Sequence, residues 1–312
     1  MRPASTCCKS KVVTTHVAGN EQAFQVVSIG AQLGEGPIWV PQDDALWFVD
    51  VAGRALHRYQ PDRAEHGIWT APEKISFILP IRGGGFMAGL KSGPHRFDPR
   101  TGSFTQFADP EAHLPENRLN DACVGPAGDL WFGSMHDAMS EPSGVLYRVD
   151  RHGRIVALDS GYVVTNGPAF SPDAATFYHT DSTRRLVYAF DHAPGGSLSN
   201  KRVFVEIEPG AGFPDGNTVD AEGCVWVALW GGWAVRRYSP RGELLASVRF
   251  PCAKVTKIAF GGQDNCMAYA TTAWEGLSAD ERKAQPLAGD LFGFRAPVPG
   301  LPPLLLDLQA MP

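Results

Sequence analysis

Residues 45–61, ALWFVDVAGRALHRYQP, read as two strands of alternating apolar and polar side chains joined by a short polar turn. Further copies of this unit follow: GGFMAGLKSGPHRFDP at 84–99, GDLWFGSM at 128–135 with GVLYRVD at 144–150, and ATFYHTDSTRRLVYAFD at 175–191. The last two are GCVWVALWGGWAVRRYSP at 223–240 and a more degenerate CMAYATTA at 266–273 with GDLFGFRA at 289–296. Start-to-start spacings are 39, 44, 47, 48 and 43 residues. Segments such as KRVFVEI at 201–207 and ELLASVRF at 243–250 supply further strands, so each unit holds four. Six four-stranded units of this period predict an all-β, six-bladed β-propeller, whereas a β-sandwich gives no reason for a period near 45 residues. The segment AFQVVS at 23–28 is placed to complete the last blade and close the ring. Residues 1–20 read as a polar, flexible N-terminal tail, and 21–312 as one propeller domain.

Composition agrees with this reading. The chain has 34 glycines and 25 prolines among 312 residues, which calls for many turns and argues against long helices, coiled coil and disorder. A net charge of −5 without Lys/Arg clusters leaves no electrostatic footprint for nucleic acid. No apolar run is long enough to span a membrane, and the N-terminus lacks the apolar core of a secretory signal, so a cytoplasmic protein with no membrane partner is expected. The cysteines, Cys7, Cys8, Cys123, Cys224, Cys252 and Cys266, show no metal-binding spacing and are expected to be free thiols.

No HExxH, GxSxG or P-loop occurs, which removes a serine nucleophile and a nucleotide site from consideration. What interrupts the repeat is a set of acidic and amide residues in Gly/Pro-rich turns leading into the blades: Glu35 in LGEGPIW, Asn120 and Asp121 in NRLNDACV, Asn166 in TNGPAF and Asp215 in FPDGNTV. In a propeller such turns converge on the central channel. Carboxylate and amide oxygens gathered there, completed by water, form the hard-oxygen set that suits Ca²⁺, Mg²⁺, Mn²⁺ or Zn²⁺. Taken singly, each is an ordinary turn-capping residue.

The motifs LGEGPIW, RLND followed by GPAGDLWFGSM, NGPAFSPD, PDGNTVDAEGCVWVALW and FGG followed by YATTA come in one order over nearly the whole chain. In these the sequence resembles the SMP-30/gluconolactonase/LRE family of regucalcin-like sugar lactonases. The resemblance implies a six-bladed propeller with one divalent metal ion in its channel, among Ca, Zn, Mg, Mn and Fe(II). It implies Glu35, Asn166 and Asp215 as metal ligands, Asp215 also as general base, and Arg118 and Asn120 as contacts to a small sugar lactone. Asp121 and Asp181 are candidates to steer water or to stand behind the ligands, although TDS at a strand end is also an ordinary turn. Two positions beside the ligands, Pro168 and Asn217, depart from residues common in the family. Ala138 falls where regucalcin-like members carry a substrate-contacting Glu, with His136, Asp137 or Glu141 as substitutes. Tryptophans 39, 47, 131, 226 and 230 lie on repeat strands and are expected in the core.

The expected activity is therefore hydrolysis of an aldonolactone, a cyclic carboxylic ester, to the aldonic acid with metal assistance. The alternatives are a non-enzymatic metal- or calcium-binding regulator of the same fold, and an interaction platform. A platform has no need of matching oxygen ligands in the channel.

Overall fold

The structure is a computed structural model that describes residues 22–308; the expected tail at 1–20 and Cys7 and Cys8 lie outside the described residues. Twenty-four strands and a single α-helix, Ala279–Ala284, are present among them, giving an all-β, propeller-like fold. Among the described residues no helix is long and apolar enough to cross a membrane.

Four sheets have four antiparallel strands each, in simple chain order. The first runs Gly34–Val40, Ala45–Asp50, Ala55–Gln60 and Glu65–Thr70; the second begins with Ile75–Pro80, the third with Asn117–Val124 and the fourth with Thr165–Phe170. The repeat at 45–61 is thus the second and third strand of its sheet, and a further strand precedes it on the inside. These leading strands, with Phe213–Val219 and Lys254–Gly261, neighbour one another in a closed cycle around the centre of the molecule.

The expectation of six separate four-stranded sheets needs correction. Four sheets stand alone, and the remaining strands form one eight-stranded sheet. Within it, the ladder from Phe213–Val219 through Leu244–Arg249 meets the ladder from Lys254–Gly261 onward at the single pair Trp230↔Lys254. The physical reason is that Val225–Trp230 runs one residue past its own hairpin and reaches the next ladder. The first and last described strands meet as expected: Phe24–Val27 pairs antiparallel with Leu291–Arg295, and the Asp290 carboxylate accepts from the backbone N–H of Ile29 and Gly30 at 2.8 and 2.9 Å.

The apolar side chains form wedges between facing sheets. Trp47, Leu56, Ile78 and Phe97 fill the space between the first and second, and Trp131, Tyr162, Phe170 and Phe177 that between the third and fourth. Burying one such Phe or Leu contributes about 1.5–3 kcal/mol. Since the wedges radiate outward, the centre is left to polar side chains. Trp39, Trp47, Trp131 and Trp226 are buried in wedges, as expected; Trp230 is half-buried and lines a cavity instead.

Candidate active site

Glu35, Arg118, Asn120, Asp121, Asn166 and Asp215 sit on leading strands themselves rather than in turns before them, which corrects the sequence reading, and Asp181 ends the second strand of its sheet. A β-bulge interrupts each of these strands at the equivalent place: between Glu35 and Ile38, Leu119 and Ala122, Asn166 and Ala169, and Pro214 and Asn217. An extra residue in a bulge bends the strand and re-aims its side chains. Gly36 and Gly167 both take φ of 54°, a left-handed conformation that glycine adopts without a Cβ penalty. The Gly/Pro signature read as turns was therefore the signature of bulges.

The bulges divide the channel. Glu35, Arg118, Asn120, Asn166 and Asp215 line a cavity of about 610 Å³ with apolar walls that include Val51, Met135, Val164 and Phe213. Residues just past them, Pro37, Cys123, Pro168 and Asn217, line a separate cavity of about 190 Å³ that residues 301–304 also border. Pro168 and Asn217, flagged as departures, thus face away from the larger cavity. Asn217 spends its amide N–H groups on Gly167 O and Thr180 Oγ1 at 3.2 and 2.8 Å.

Glu35 and Asp215 are 8% and 5% exposed. The Gly36 N–H donates to Glu35 Oε2 at 2.9 Å, and among the described residues neither carboxylate has a salt-bridge partner. Burial, then the neighbouring Asp121 charge, pushes the Glu35 carboxyl well above its ordinary range; burial, then Glu35 and Asp121, does the same to Asp215. Asp121 differs. Its Oδ1 accepts from Lys257 Nζ at 2.5 Å and from Ala122 N at 2.8 Å, and its Oδ2 from Gly167 N at 2.8 Å, so it braces the bulges from behind and does not line the larger cavity.

A directional hydrogen-bond chain connects the other residues. Arg118 donates Nε to Asp137 Oδ1 at 3.0 Å, and Nη1 to Leu119 O and Asn120 Oδ1 at 2.9 and 2.5 Å. A guanidinium only donates, so Asn120 presents its oxygen to Arg118 and its Nδ2 to Thr165 O and Asn166 Oδ1, at 2.6 and 2.9 Å. Asn166 in turn donates Nδ2 to Ser182 Oγ at 2.9 Å. This polarity leaves the second lone pair of Asn166 Oδ1 free.

Asp181 is fully buried but does not line the cavity. Its carboxylate accepts from Val163 N and Arg184 N at 3.3 and 3.4 Å and pairs with Arg184 Nη1 at 3.1 Å, the ordinary turn role. Its neighbour Ser182 is the residue that reaches Asn166. Ala138 is exposed and outside the lining, where Asp137 and Met139 appear instead. Sequence reasoning missed Lys257, Ser182 and Lys74. The available signal for Lys257 was a lysine inside the mostly apolar strand segment VTKIAF.

Among the described residues no group of three or more His, Cys, Asp and Glu side chains is arranged to hold a metal ion. The set of Glu35, Asp215 and Asn166 has an amide as its third member. It fits a divalent cation on chemical grounds: two buried carboxylates that repel each other and have no cation of their own, beside an amide oxygen held with a lone pair to spare.

A model of the SMP-30/gluconolactonase/LRE-like region matches residues 33–274. The chain is 33% identical over 282 residues to 6-deoxy-6-sulfogluconolactonase of Pseudomonas putida, covering 90% of this chain and 97% of that protein. It is 35% identical over 283 residues to L-arabinolactonase of Azospirillum brasilense, covering 89% and 92%. The crystal structure of a calcium-binding protein, regucalcin, from Agrobacterium tumefaciens superposes with a TM-score of 0.88 at 29% identity, covering 93% of this chain and 99% of that one. The matched region runs from just before Glu35 to just past the strand Met267–Ala273, and so takes in every leading strand; this chain belongs to the SMP-30/gluconolactonase/LRE-like family.

Proposed function

We propose that this chain is a divalent-metal-dependent lactonase that hydrolyses a sugar lactone to the open hydroxy acid. The observation that carries the reading is the pair of buried carboxylates without a cation, Glu35 and Asp215, set with Asn166 in a cavity large enough for a sugar-sized substrate. Relatives named as sugar lactonases support the substrate class. The fold is a six-bladed propeller in one domain over residues 21–312. In support, six leading strands form one cycle, and only one residue pair joins the two halves of the eight-stranded sheet.

Glu35, Asn166 and Asp215 would hold the ion; when bound, it supplies Lewis acidity toward the lactone carbonyl. Arg118 and Asn120 orient the substrate. With Nε and Nη1 of Arg118 committed, Nη2 is the donor left for a ring or hydroxyl oxygen. A buried site built to satisfy hydroxyls discriminates strongly against analogues that lack them. Asp215 accepts a proton from the attacking water through one carboxylate oxygen. Water adds to the carbonyl carbon, the bond to the ring oxygen breaks, and that proton passes to the departing oxygen. The apolar walls lower the local dielectric around the buried carboxylates and strengthen polar contacts there.

The test is acid release from gluconolactone, xylonolactone and arabinonolactone by protein stripped of metal and then reloaded with Ca²⁺, Zn²⁺, Mg²⁺, Mn²⁺ or Fe²⁺. Turnover restored by at least one ion supports the reading. Tight metal binding without turnover of any lactone overturns it in favour of a non-enzymatic metal-binding protein.

A further inference from the structure

We propose that Asp137, held in turn by Lys74, is a positioning residue that sets the Arg118 guanidinium against the substrate. The inference rests on the lactonase reading and adds the ion pair that tunes its substrate wall.

Asp137 follows the strand Leu130–His136, and Lys74 immediately precedes Ile75–Pro80 of the neighbouring sheet. Lys74 Nζ donates to Asp137 Oδ1 and Oδ2 at 2.7 and 2.8 Å, while Arg118 Nε donates to Oδ1 at 3.0 Å. Both carboxylate oxygens are therefore engaged by cations. Asp137 acts on substrate through Arg118 and not by direct contact. Arg118 and Asp137 side chains are 9% and 22% exposed, which keeps the pair partly shielded from solvent and from salt.

An arginine carries many rotamers, and ordering them only when substrate arrives weakens binding. Here Asp137, Leu119 O and Asn120 Oδ1 order the guanidinium beforehand and leave one edge free. The carboxylate comes from the residue before Ala138, which has no side chain able to do this. Lys74 serves a second purpose: it neutralises the Asp137 carboxylate at the cavity wall that both residues line.

The experiment compares Asp137→Ala, Asp137→Glu and Lys74→Met in the full-length protein. Turnover on the best lactone of the panel is read together with calorimetric metal affinity, thermal melting and hydrogen exchange of the Arg118 Nε proton by NMR. Asp137→Ala should raise KM about 10- to 100-fold, the factor that one charged hydrogen bond carries. kcat should fall less, metal affinity should stay within about threefold, and the Nε proton should exchange faster. Asp137→Glu should recover most of the loss, and Lys74→Met should give a smaller, salt-dependent rise in KM. A folded Asp137→Ala protein with unchanged KM and unchanged Nε exchange overturns the proposal. So does a parallel loss of kcat, metal affinity and melting temperature, which marks a general structural role. Should the wild type turn over no lactone, the lactonase reading fails separately, and the Nε exchange alone decides this one.

Discussion

Lys257 Nζ donates to Asp121 Oδ1 at 2.5 Å, tying Lys254–Gly261 to Asn117–Val124 across the centre of the ring. Both side chains are nearly buried. Asp121 thereby has a cation in direct contact, whereas Glu35 and Asp215 feel the Lys257 charge without a salt bridge to it. Breaking this pair should be costly because it strands a buried charge. Lys257→Met is expected to lose about 3–5 kcal/mol of unfolding free energy, and adding Asp121→Asn should recover more than half. Urea unfolding of the single and double variants checks this; a double variant no more stable than Lys257→Met contradicts it.

Metal-free stability should depend on pH in an unusual sense. The Glu35 carboxyl is pushed up to about 8 from an ordinary 4.5, and Asp215 is raised by the same burial and mutual repulsion. Between those values the unfolded chain has released protons that the folded chain still holds, so stability falls as pH rises. Melting temperature without metal should therefore decline from about pH 5 to pH 8. Added metal should restore it most at the alkaline end, with proton release measurable by calorimetry in buffers of different ionisation enthalpy. A metal-free protein that grows more stable over this range contradicts the assignment.

Glu35→Ala separates ligand from scaffold. Loss of a ligand should weaken metal binding by more than about 100-fold, beyond the range seen when only a supporting residue is removed. The metal-free variant at pH 8 should be at least as stable as metal-free wild type, because a buried carboxylate without a partner has gone. Stoichiometric metal in the purified variant would refute the assignment.

Asp215→Asn tests the double role of ligand and base. The amide oxygen still coordinates but does not take the water proton. Metal binding should weaken and recover at high metal concentration, while kcat at full occupancy stays down about 10²- to 10⁴-fold. Near-normal kcat under those conditions would leave Asp215 as a ligand only.

Much of this site can be read in the linear chain, because residues in bulges carry their signature with them. Glu35 and Asn166 sit beside Gly36 and Gly167, whose left-handed backbone marks the break in strand pairing, and the structure brings both residues to one cavity with Asp215. The same local reasoning misplaced them in turns, since glycine and proline mark either feature. Of the two readings open for Asp181 in the sequence, the structure shows the ordinary turn, its carboxylate serving the turn to Arg184. The family position of the missing Glu was also legible, as Ala138, and so was Asp137 as a substitute for it, whereas the pairing of Asp137 with Lys74 was not.

The repeated strand units, their all-β character and the residues that break their alternation follow from the chain alone, because alternation and turn chemistry are local properties read over a few residues. Partnerships between distant side chains do not. Lys257 meets Asp121 from 136 residues away, Lys74 meets Asp137 from 63, and Trp230 reaches Lys254 to merge two ladders into one sheet. Each of these depends on how far a side chain or a strand end extends once the sheets are arrayed around the channel. The charge balance at its centre, with two buried carboxylates outside any salt bridge, exists only in the folded ring.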